Sequence, residues 1–144
     1  MTLPLDQWQE VGRNESARYY LAEEGVIVVL PYEDMVDTET SARAAVKLQI
    51  DYWKGAGRPG ASVVLVDPVG HQEAGARRVY QREIDPEWHT CVALVTSSFF
   101  GRAVASVFLG LARPPVPTTM FVDLDAALSW ARQQNATRGM PPRG

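Results

Sequence analysis

The most strongly patterned part of the chain, residues 90–135, reads TCVALVTSSFFGRAVASVFLGLARPPVPTTMFVDLDAALSWARQQN. Residues 90–95 form an apolar run with the length of a buried strand, and residues 118–122 form a second one. Apolar residues spaced three and four apart follow each run, which predicts two amphipathic helices. Short links between these elements predict parallel strands joined by right-handed crossovers.

The first of these helices follows Ser97 and Ser98, whose hydroxyls are candidate N-caps. Its predicted inward stripe consists of Phe100, Ala103, Val104, Val107, Phe108 and Leu111. Three prolines between residues 114 and 117 end it, because proline lacks the backbone N–H. We expect the second helix to be capped by Asp123 and to end near Asn135, with an inward stripe of Leu124, Ala127, Leu128 and Ala131.

The earlier part of the chain predicts a hairpin and two more helices. Residues 18–22 and 26–30 form two strand-like runs around Gly25. Asp37 or Thr38 is expected to cap a helix that runs to about Lys54. Its predicted inward face contains Ala42, Ala45, Val46, Ile50 and Trp53. Its predicted solvent side contains Arg43, Lys47, Gln49 and Asp51.

A further strand is predicted over residues 62–67, and Glu73 then opens a helix that carries Ala76, Val79, Tyr80 and Ile84 inward. The predicted fold class is therefore α/β, with a mixed sheet in which an N-terminal antiparallel hairpin precedes β-α-β-α-β-α units. We expect one domain over residues 17–135, a lead-in over residues 1–16 with a short turn or helix, and a flexible tail over residues 136–144.

Composition narrows the class of protein. A chain of 144 residues is long enough to bury a core in one domain, and its net charge of −3 with no basic stripe argues against nucleic acid as a partner. The single cysteine, Cys91, excludes an internal disulfide and suits a reducing compartment. There is no apolar run of membrane-spanning length and no signal peptide pattern, so we expect a cytoplasmic protein.

Three segments resemble the STAS family of anti-sigma-factor antagonists (SpoIIAA-like), and especially the STAS-like bacterial proteins. The segments are YYLAEEGVIVVL, SVVLVDPVG and SSFFGRAVASVFLGLARPPVPTTMFVDLDAALSW. The resemblance implies a SpoIIAA-like fold and a non-catalytic regulatory domain that binds other proteins, in some members under the control of phosphorylation. It places the modified serine or threonine within VDPVGHQEAGARR, where this chain has neither between Pro68 and Val79. Glu73 stands near that place, either as a fixed negative charge at a helix N-terminus or as an ordinary first-turn residue.

Ligands of open α/β sheets bind beyond the carboxyl ends of the parallel strands. The sequence places a candidate binding rim there, made of Asp67, His71, Glu73, Ser97 and Ser98. A hydrolase triad drawn from these residues is disfavoured because the chain has no Gly-x-Ser-x-Gly elbow. His89 and Cys91 have a ligand-like spacing, but no second Cys/His pair supports a metal site, and no glycine-rich loop supports a nucleotide. We therefore predict no catalytic residue, no metal and no cofactor.

A candidate protein-contact face lies opposite the inward stripe of the helix after Ser98. It consists of Arg102, Ala105, Leu109, Ala112 and Arg113. An apolar anchor among small residues with arginine at its edge suits contact with another protein or with a second copy as a homodimer. The leading hypothesis is thus a regulatory or scaffolding module; the alternatives are a small-molecule-binding domain that uses the rim, and an enzyme of unrecognised chemistry.

The contact face yields a direct test. Leu109→Glu should weaken association with the partner, because it places a charge in the centre of the predicted interface. The free energy of unfolding should change by less than about 1 kcal/mol, because the position is predicted to face away from the core. Affinity purification and thermal melting measure the two effects, and unchanged association in the variant would show that the interface lies elsewhere.

Overall fold

The computed structural model describes residues 3–99, 101–103, 106 and 114–138. Its elements are β1 (Gln9–Arg13), β2 (Ala17–Glu23), β3 (Val26–Pro31), β4 (Met35–Asp37), α1 (Glu39–Ala56), β5 (Gly60–Leu65), β6 (Val69–Gln72), α2 (Ala74–Glu83), β7 (His89–Val95), β8 (Thr118–Phe121) and α3 (Leu124–Arg138). Residues 99, 101–103 and 106, between β7 and β8, are also helical. Within the described part of the chain, no helix has both the length and the apolar character needed to cross a membrane.

Six strands form one mixed sheet in the order β1-β2-β3-β5-β7-β8, and β4 pairs with β6 in a separate two-stranded sheet. The pairs β1–β2 and β2–β3 are antiparallel, whereas β3, β5, β7 and β8 run parallel to one another. The predicted α/β class, with an antiparallel hairpin ahead of parallel strands, is confirmed. The carboxyl ends of β5, β7 and β8 meet at one edge of the sheet, where the predicted rim lies.

Local signals in the sequence place the first hairpin and α1. Gly25 has φ 80° in the turn between β2 and β3, a conformation that glycine adopts without steric cost. Thr38 caps α1: its hydroxyl accepts from the Ser41 N–H, and the Ser41 hydroxyl accepts from the Thr38 N–H. Gly57 ends the helix in the left-handed conformation at φ 79°.

Helices cover both faces of the sheet. On one face α3 buries Leu124, Ala127 and Ala131 against alternate residues of β3, β5 and β7. On the other face α1 and α2 pack against each other and against the strand residues that alternate with those beneath α3. The predicted inward stripes of α1 and α3 are confirmed. The predicted solvent side of α1 is wrong at one residue. Gln49 is only 5% exposed, although it was predicted to face solvent.

The lead-in is a strand where the sequence suggested a turn or short helix. Residues 9–13 form β1, the antiparallel edge strand beside β2. Trp8 packs near Tyr20, with 6.1 Å between the ring centroids. The three-residue spacing of Trp8 and Val11 imitates a helix, and β1 lacks the apolar alternation of a buried strand because its ends are exposed. The short strands β4 and β6 carry no alternation either and were not predicted.

The helix after β7 presents a different residue to the body than its apolar stripe suggests. Ala103, predicted to face inward, is exposed, whereas Gly101 is buried. A Cβ on Gly101 would collide with the Thr96 hydroxyl, so glycine permits an approach that sets the start of this helix. The other predicted stripe residues of this helix, Phe100, Val104, Val107, Phe108 and Leu111, lie outside the described residues.

Asn135 connects three elements and does not end the last helix, which continues to Arg138. Its amide nitrogen donates to the Gly25 carbonyl at 2.8 Å, and the Thr90 hydroxyl donates to its amide oxygen. Asn135 is 4% exposed, so these bonds are shielded from water. The side chain thereby fixes α3 to the hairpin turn and to the start of β7.

Replacement of Asn135 tests this connection. Asn135→Leu should lower the free energy of unfolding by about 1–3 kcal/mol, because the buried Thr90 hydroxyl loses its oxygen acceptor and the Gly25 carbonyl keeps only the bond from the Ala61 N–H. Gln133→Leu, on the exposed side of the same helix, is the matched control and should change stability by less than about 0.5 kcal/mol. Urea unfolding measures both variants, and equal effects would rule out the proposed role of Asn135.

Candidate functional site

At the strand-end rim, Asp67 gathers three hydroxyl side chains. The Thr96 hydroxyl donates to Asp67 Oδ1, and Ser98 Oγ lies 3.4 Å from the same oxygen. Ser97 donates to Oδ2 from its hydroxyl at 3.0 Å and from its backbone N–H at 3.3 Å. Burial alone would raise the pKa of Asp67, but these hydrogen bonds outweigh it and lower the pKa below its ordinary value. The cluster is therefore an ionised carboxylate surrounded by donors.

This cluster forms the local structure at the start of the helix after β7. Ser98 Oγ accepts from the Gly101 N–H at 2.8 Å, which confirms the predicted N-cap. A Cβ at position 101 would come within 3.0 Å of Asp67 Oδ1, so the backbone packs closely onto the carboxylate. Both oxygens of Asp67 already accept from the protein, and this arrangement is suited to holding two strand ends together.

The other two predicted rim residues lie on other elements. His71 is exposed on β6, where it pairs with Val36 of β4. Glu73 is the exposed N-cap residue of α2, and its side chain makes no capping hydrogen bond. The structure thus brings Asp67, Ser97 and Ser98 together, adds Thr96 to them, and leaves His71 and Glu73 outside the hydrogen bonds of this cluster.

Of the candidate protein-contact face, Arg102 is described and is exposed. Ala105, Leu109, Ala112 and Arg113 lie outside the described residues. That face is therefore still a prediction from the sequence.

A second candidate site lies between the sheet and the layer formed by α1 and α2 and is partly open to solvent. It is a cavity of about 100 Å³. Its apolar lining is Ala17, Val29, Pro31, Met35, Ala45, Val46, Val64, Val66, Val69, Ile84, Val92 and Leu94. Its polar lining is Ser16, Tyr19, Asp37, Ser41, Gln49, Ser62, Gln72, Tyr80 and His89. A concave, mainly apolar space with a few convergent polar groups is the usual form of a small-molecule site.

Asp37 organises one side of this cavity. It is 4% exposed, and its Oδ1 accepts from the Ser41 hydroxyl at 2.7 Å. Its Oδ2 accepts from Gln72 Nε2 at 3.1 Å and from the Tyr80 hydroxyl at 2.7 Å. Burial, reinforced by the negative charge of Asp37, raises the pKa of Tyr80 well above its ordinary value, so Tyr80 keeps the proton that it donates. Three elements, α1, β6 and α2, are thereby joined to β4.

Two atoms in the lining residues have no hydrogen-bond partner among the described residues: Gln49 Oε1 and His89 Nδ1. Gln49 is 5% exposed and His89 is 1% exposed, so protein surrounds both side chains. Buried polar atoms are nearly always hydrogen-bonded, because an unpaired one costs about 1–3 kcal/mol. Arg18 Nε and Trp53 Nε1 are also buried without a partner among the described residues, but they do not belong to the cavity lining. For Gln49 and His89, an occupant of the cavity, whether water or a ligand, is a candidate partner.

Burial also fixes the charge of the cavity lining. It lowers the pKa of His89 to about 4, an effect that Asp85 opposes only in part, so the imidazole is neutral at physiological pH. Burial similarly raises the pKa of Tyr19 to about 12, although the hydrogen bond from Asn14 acts in the opposite direction. No lysine or arginine contributes to the described lining. The open hydrogen-bonding positions are consequently those of uncharged groups.

His89 and Cys91 do not share a site, although residues two apart face the same side of a regular strand. The pairing of β5 with β7 is irregular between Gly60 and Ser62. As a result His89 lines the cavity, whereas Cys91 is buried in the core beneath α3. Within the described part of the chain, no group of three or more histidine, cysteine or acidic side chains is arranged to hold a metal ion.

Sequence reasoning missed both open cavity residues. The spacing of Ala42, Val46, Gln49 and Trp53, by four, three and four, places Gln49 in the middle of a buried stripe. That spacing predicts a buried position for Gln49. The polar character of glutamine favours an exposed position, and the sequence analysis followed the polar character. His89 had no comparable signal, because its orientation depends on the strand irregularity.

Comparison with known proteins gives a family and no function. A family model described as "Domain of unknown function (DUF7793)" matches residues 19–135. The chain belongs to this family. The family match begins at Tyr19 in β2 and ends at Asn135 in α3, so it includes most of the cavity lining. No curated protein and no solved structure matches the chain.

The neutral, buried His89 predicts a pH dependence of stability. Its pKa in the folded protein is about 4, below the ordinary value of 6.5, so the unfolded chain binds a proton first as pH falls. The contribution of His89 is fully present above about pH 7 and declines towards pH 4. We expect the free energy of unfolding to fall by about 2 kcal/mol from pH 7.5 to pH 5 through this group.

Urea unfolding at a series of pH values measures this effect. His89→Gln should remove that part of the slope, whatever its absolute stability. His71→Gln, at the exposed histidine, is the matched control and should keep the slope. A slope that survives in His89→Gln and disappears in His71→Gln would show that His89 is not the responsible group.

Proposed function

We propose that this chain is a small-molecule-binding domain whose ligand site is the cavity between the sheet and the α1–α2 layer. One observation carries the proposal: Gln49 and His89 are buried, line the cavity, and each have a hydrogen-bonding atom without a partner among the described residues. The rim at Asp67, which the sequence favoured for this function, supports it less well because Thr96, Ser97 and Ser98 already bind both carboxylate oxygens.

The surrounding structure suits binding better than catalysis. The one carboxylate in the described lining, Asp37, accepts hydrogen bonds from Ser41, Gln72 and Tyr80. Catalytic acids and bases need a group poised to exchange a proton near the working pH. Burial moves the pKa of His89 to about 4 and that of Tyr19 to about 12, both away from neutrality. We therefore favour a domain that recognises a compound without transforming it.

A second candidate is the protein-binding regulatory module inferred from the sequence. It is supported by Phe99, which is 82% exposed, and by Val122, which is 54% exposed. These apolar side chains follow the carboxyl ends of the neighbouring strands β7 and β8. The association measurement on Leu109→Glu tests this candidate. We also retain the SpoIIAA-like architecture as a proposal, supported by the hairpin that leads into a parallel sheet and by helices on both faces.

Ligand-dependent stabilisation tests the leading proposal. In a thermal-shift screen of small, uncharged metabolites and fragments, a compound at about 100 times its Kd should stabilise the fold by about 2.7 kcal/mol. For a domain of this size the melting temperature should rise by roughly 8 °C. Val46→Phe should abolish the shift, because the added ring occupies the cavity that Val46 lines.

Val122→Phe is the matched control: it adds the same ring at an exposed position and should leave the shift intact. Binding that persists in Val46→Phe would place the ligand site elsewhere. A screen with no stabilising compound for the unmodified chain would count against the proposed function itself.

A further inference from the structure

The orientation of Gln49 determines what its open atom requires. Its Nε2 donates to the Ala45 carbonyl at 3.2 Å within α1. Rotation of the amide by 180° would bring Oε1 against that carbonyl oxygen, so the hydrogen-bond network selects the observed orientation. Oε1 is then an acceptor without a donor among the described residues. A cavity occupant must therefore supply an N–H or O–H group to satisfy it.

The second atom without a partner, His89 Nδ1, is compatible with an occupant that carries an N–H or O–H group. His89 is neutral, and the backbone carbonyl of Asp85 acts as a hydrogen-bond acceptor for its imidazole, so this carbonyl and the occupant together set the tautomer. A hydroxyl group donates and accepts at once, and an N–H group donates. Both kinds of group are compatible with a neutral imidazole and a fixed amide oxygen.

The lining disfavours charge on the occupant. An anion would be buried without a cationic partner, because no lysine or arginine contributes to the described lining. A cation would meet Asp37, but this carboxylate already accepts three hydrogen bonds. The burial that keeps His89 unprotonated would act on a ligand ammonium group in the same way. An uncharged occupant avoids both costs.

The volume of the cavity and its apolar surface limit the size and polarity of the ligand. The cavity of about 100 Å³ is somewhat smaller than an apolar protein cavity of roughly 150 Å³ that holds benzene. Val46, Val64, Val92 and Leu94 give it apolar walls. A single ring, or an aliphatic group of similar size, would contact these walls and exclude water from them.

From these observations we infer the chemical class of the ligand: a small, uncharged organic molecule with an apolar body and one O–H or N–H group that donates to Gln49 Oε1. The inference rests on the proposed function and makes it specific. Gln49 is the specificity-determining residue, because it alone in this pair is fixed as an acceptor.

Single-ring probes separate this inference from the proposed function. Phenol carries the required donor, and toluene has nearly the same shape without it. Benzylamine and benzoate add a positive and a negative charge at neutral pH. We expect phenol to bind the unmodified chain roughly tenfold more tightly than toluene, the gain typical of one hydrogen bond, and the two ions to bind more weakly than either. Isothermal titration and thermal shift measure the affinities.

Gln49→Met tests the residue itself. Methionine has a similar volume and no amide, so we expect the affinity for phenol to fall roughly tenfold, to that of toluene, while toluene binding is unchanged. The variant should fold, because it replaces an unsatisfied polar group with an apolar one. Gln81→Met, on the exposed side of α2, is the matched control and should bind both probes like the unmodified chain.

The outcomes are distinguishable. Equal binding of phenol and toluene, in both the unmodified chain and Gln49→Met, would overturn the ligand class and leave the proposed function standing. Tighter binding of benzylamine or benzoate than of phenol would overturn the exclusion of charge. If no probe binds and the wider screen also fails, the cavity holds water only, and both proposals fall. The comparison of phenol with toluene needs no variant, so it is decisive even if a substitution unfolds the protein.

Discussion

The buried carboxylate of Asp37 is the constraint on which the α1–α2 side of the molecule depends. Its three donors come from α1, β6 and α2, and its own carbonyl accepts from the Glu73 N–H at the start of α2. A carboxylate removed from water is tolerated only while its hydrogen bonds persist, because loss of a partner leaves the charge buried and unpaired. The small β4–β6 sheet and the two helices are therefore held at fixed positions relative to one another, and the cavity lies between them and the main sheet.

The contrast between the two candidate sites follows from how each satisfies its polar groups. At the rim, Asp67 receives its hydrogen bonds from Thr96, Ser97 and Ser98, and the approach of Gly101 excludes added atoms. The rim lies where open α/β sheets commonly bind ligands, yet both carboxylate oxygens of Asp67 already accept hydrogen bonds from the protein. In the cavity, Gln49 Oε1 and His89 Nδ1 have no hydrogen-bond partner within the described part of the chain, although both side chains are almost fully buried. In this protein, buried polar atoms without a hydrogen-bond partner favour the cavity as the ligand site over the edge of the sheet.

The parts of this fold that the sequence predicted are those with long apolar periodicity or a strong local signal. The hairpin around Gly25, the cap at Thr38 and the inward stripe of α3 belong to this group. The short strands β1, β4 and β6 were missed because few of their residues are buried, so they carry no alternation. The cavity was missed for a different reason. Its position depends on packing between distant elements, and the orientation of His89 depends on an irregular strand pairing that no local pattern encodes.

The walls of the cavity are held apart by the hydrogen bonds around it. Flexible apolar side chains that line a space of about 100 Å³ tend to relax into it, because unfilled volume loses contacts between atoms. Here the hydrogen bonds of Asp37 prevent α2 and the β4–β6 sheet from moving inward without loss of a buried carboxylate's partners. Water would form hydrogen bonds with Gln49 and His89, but it would also stay in contact with the apolar side chains of the lining, which is unfavourable. A small organic molecule with one donor group supplies a partner to Gln49 Oε1 and covers the apolar walls together, so it matches this lining better than water alone.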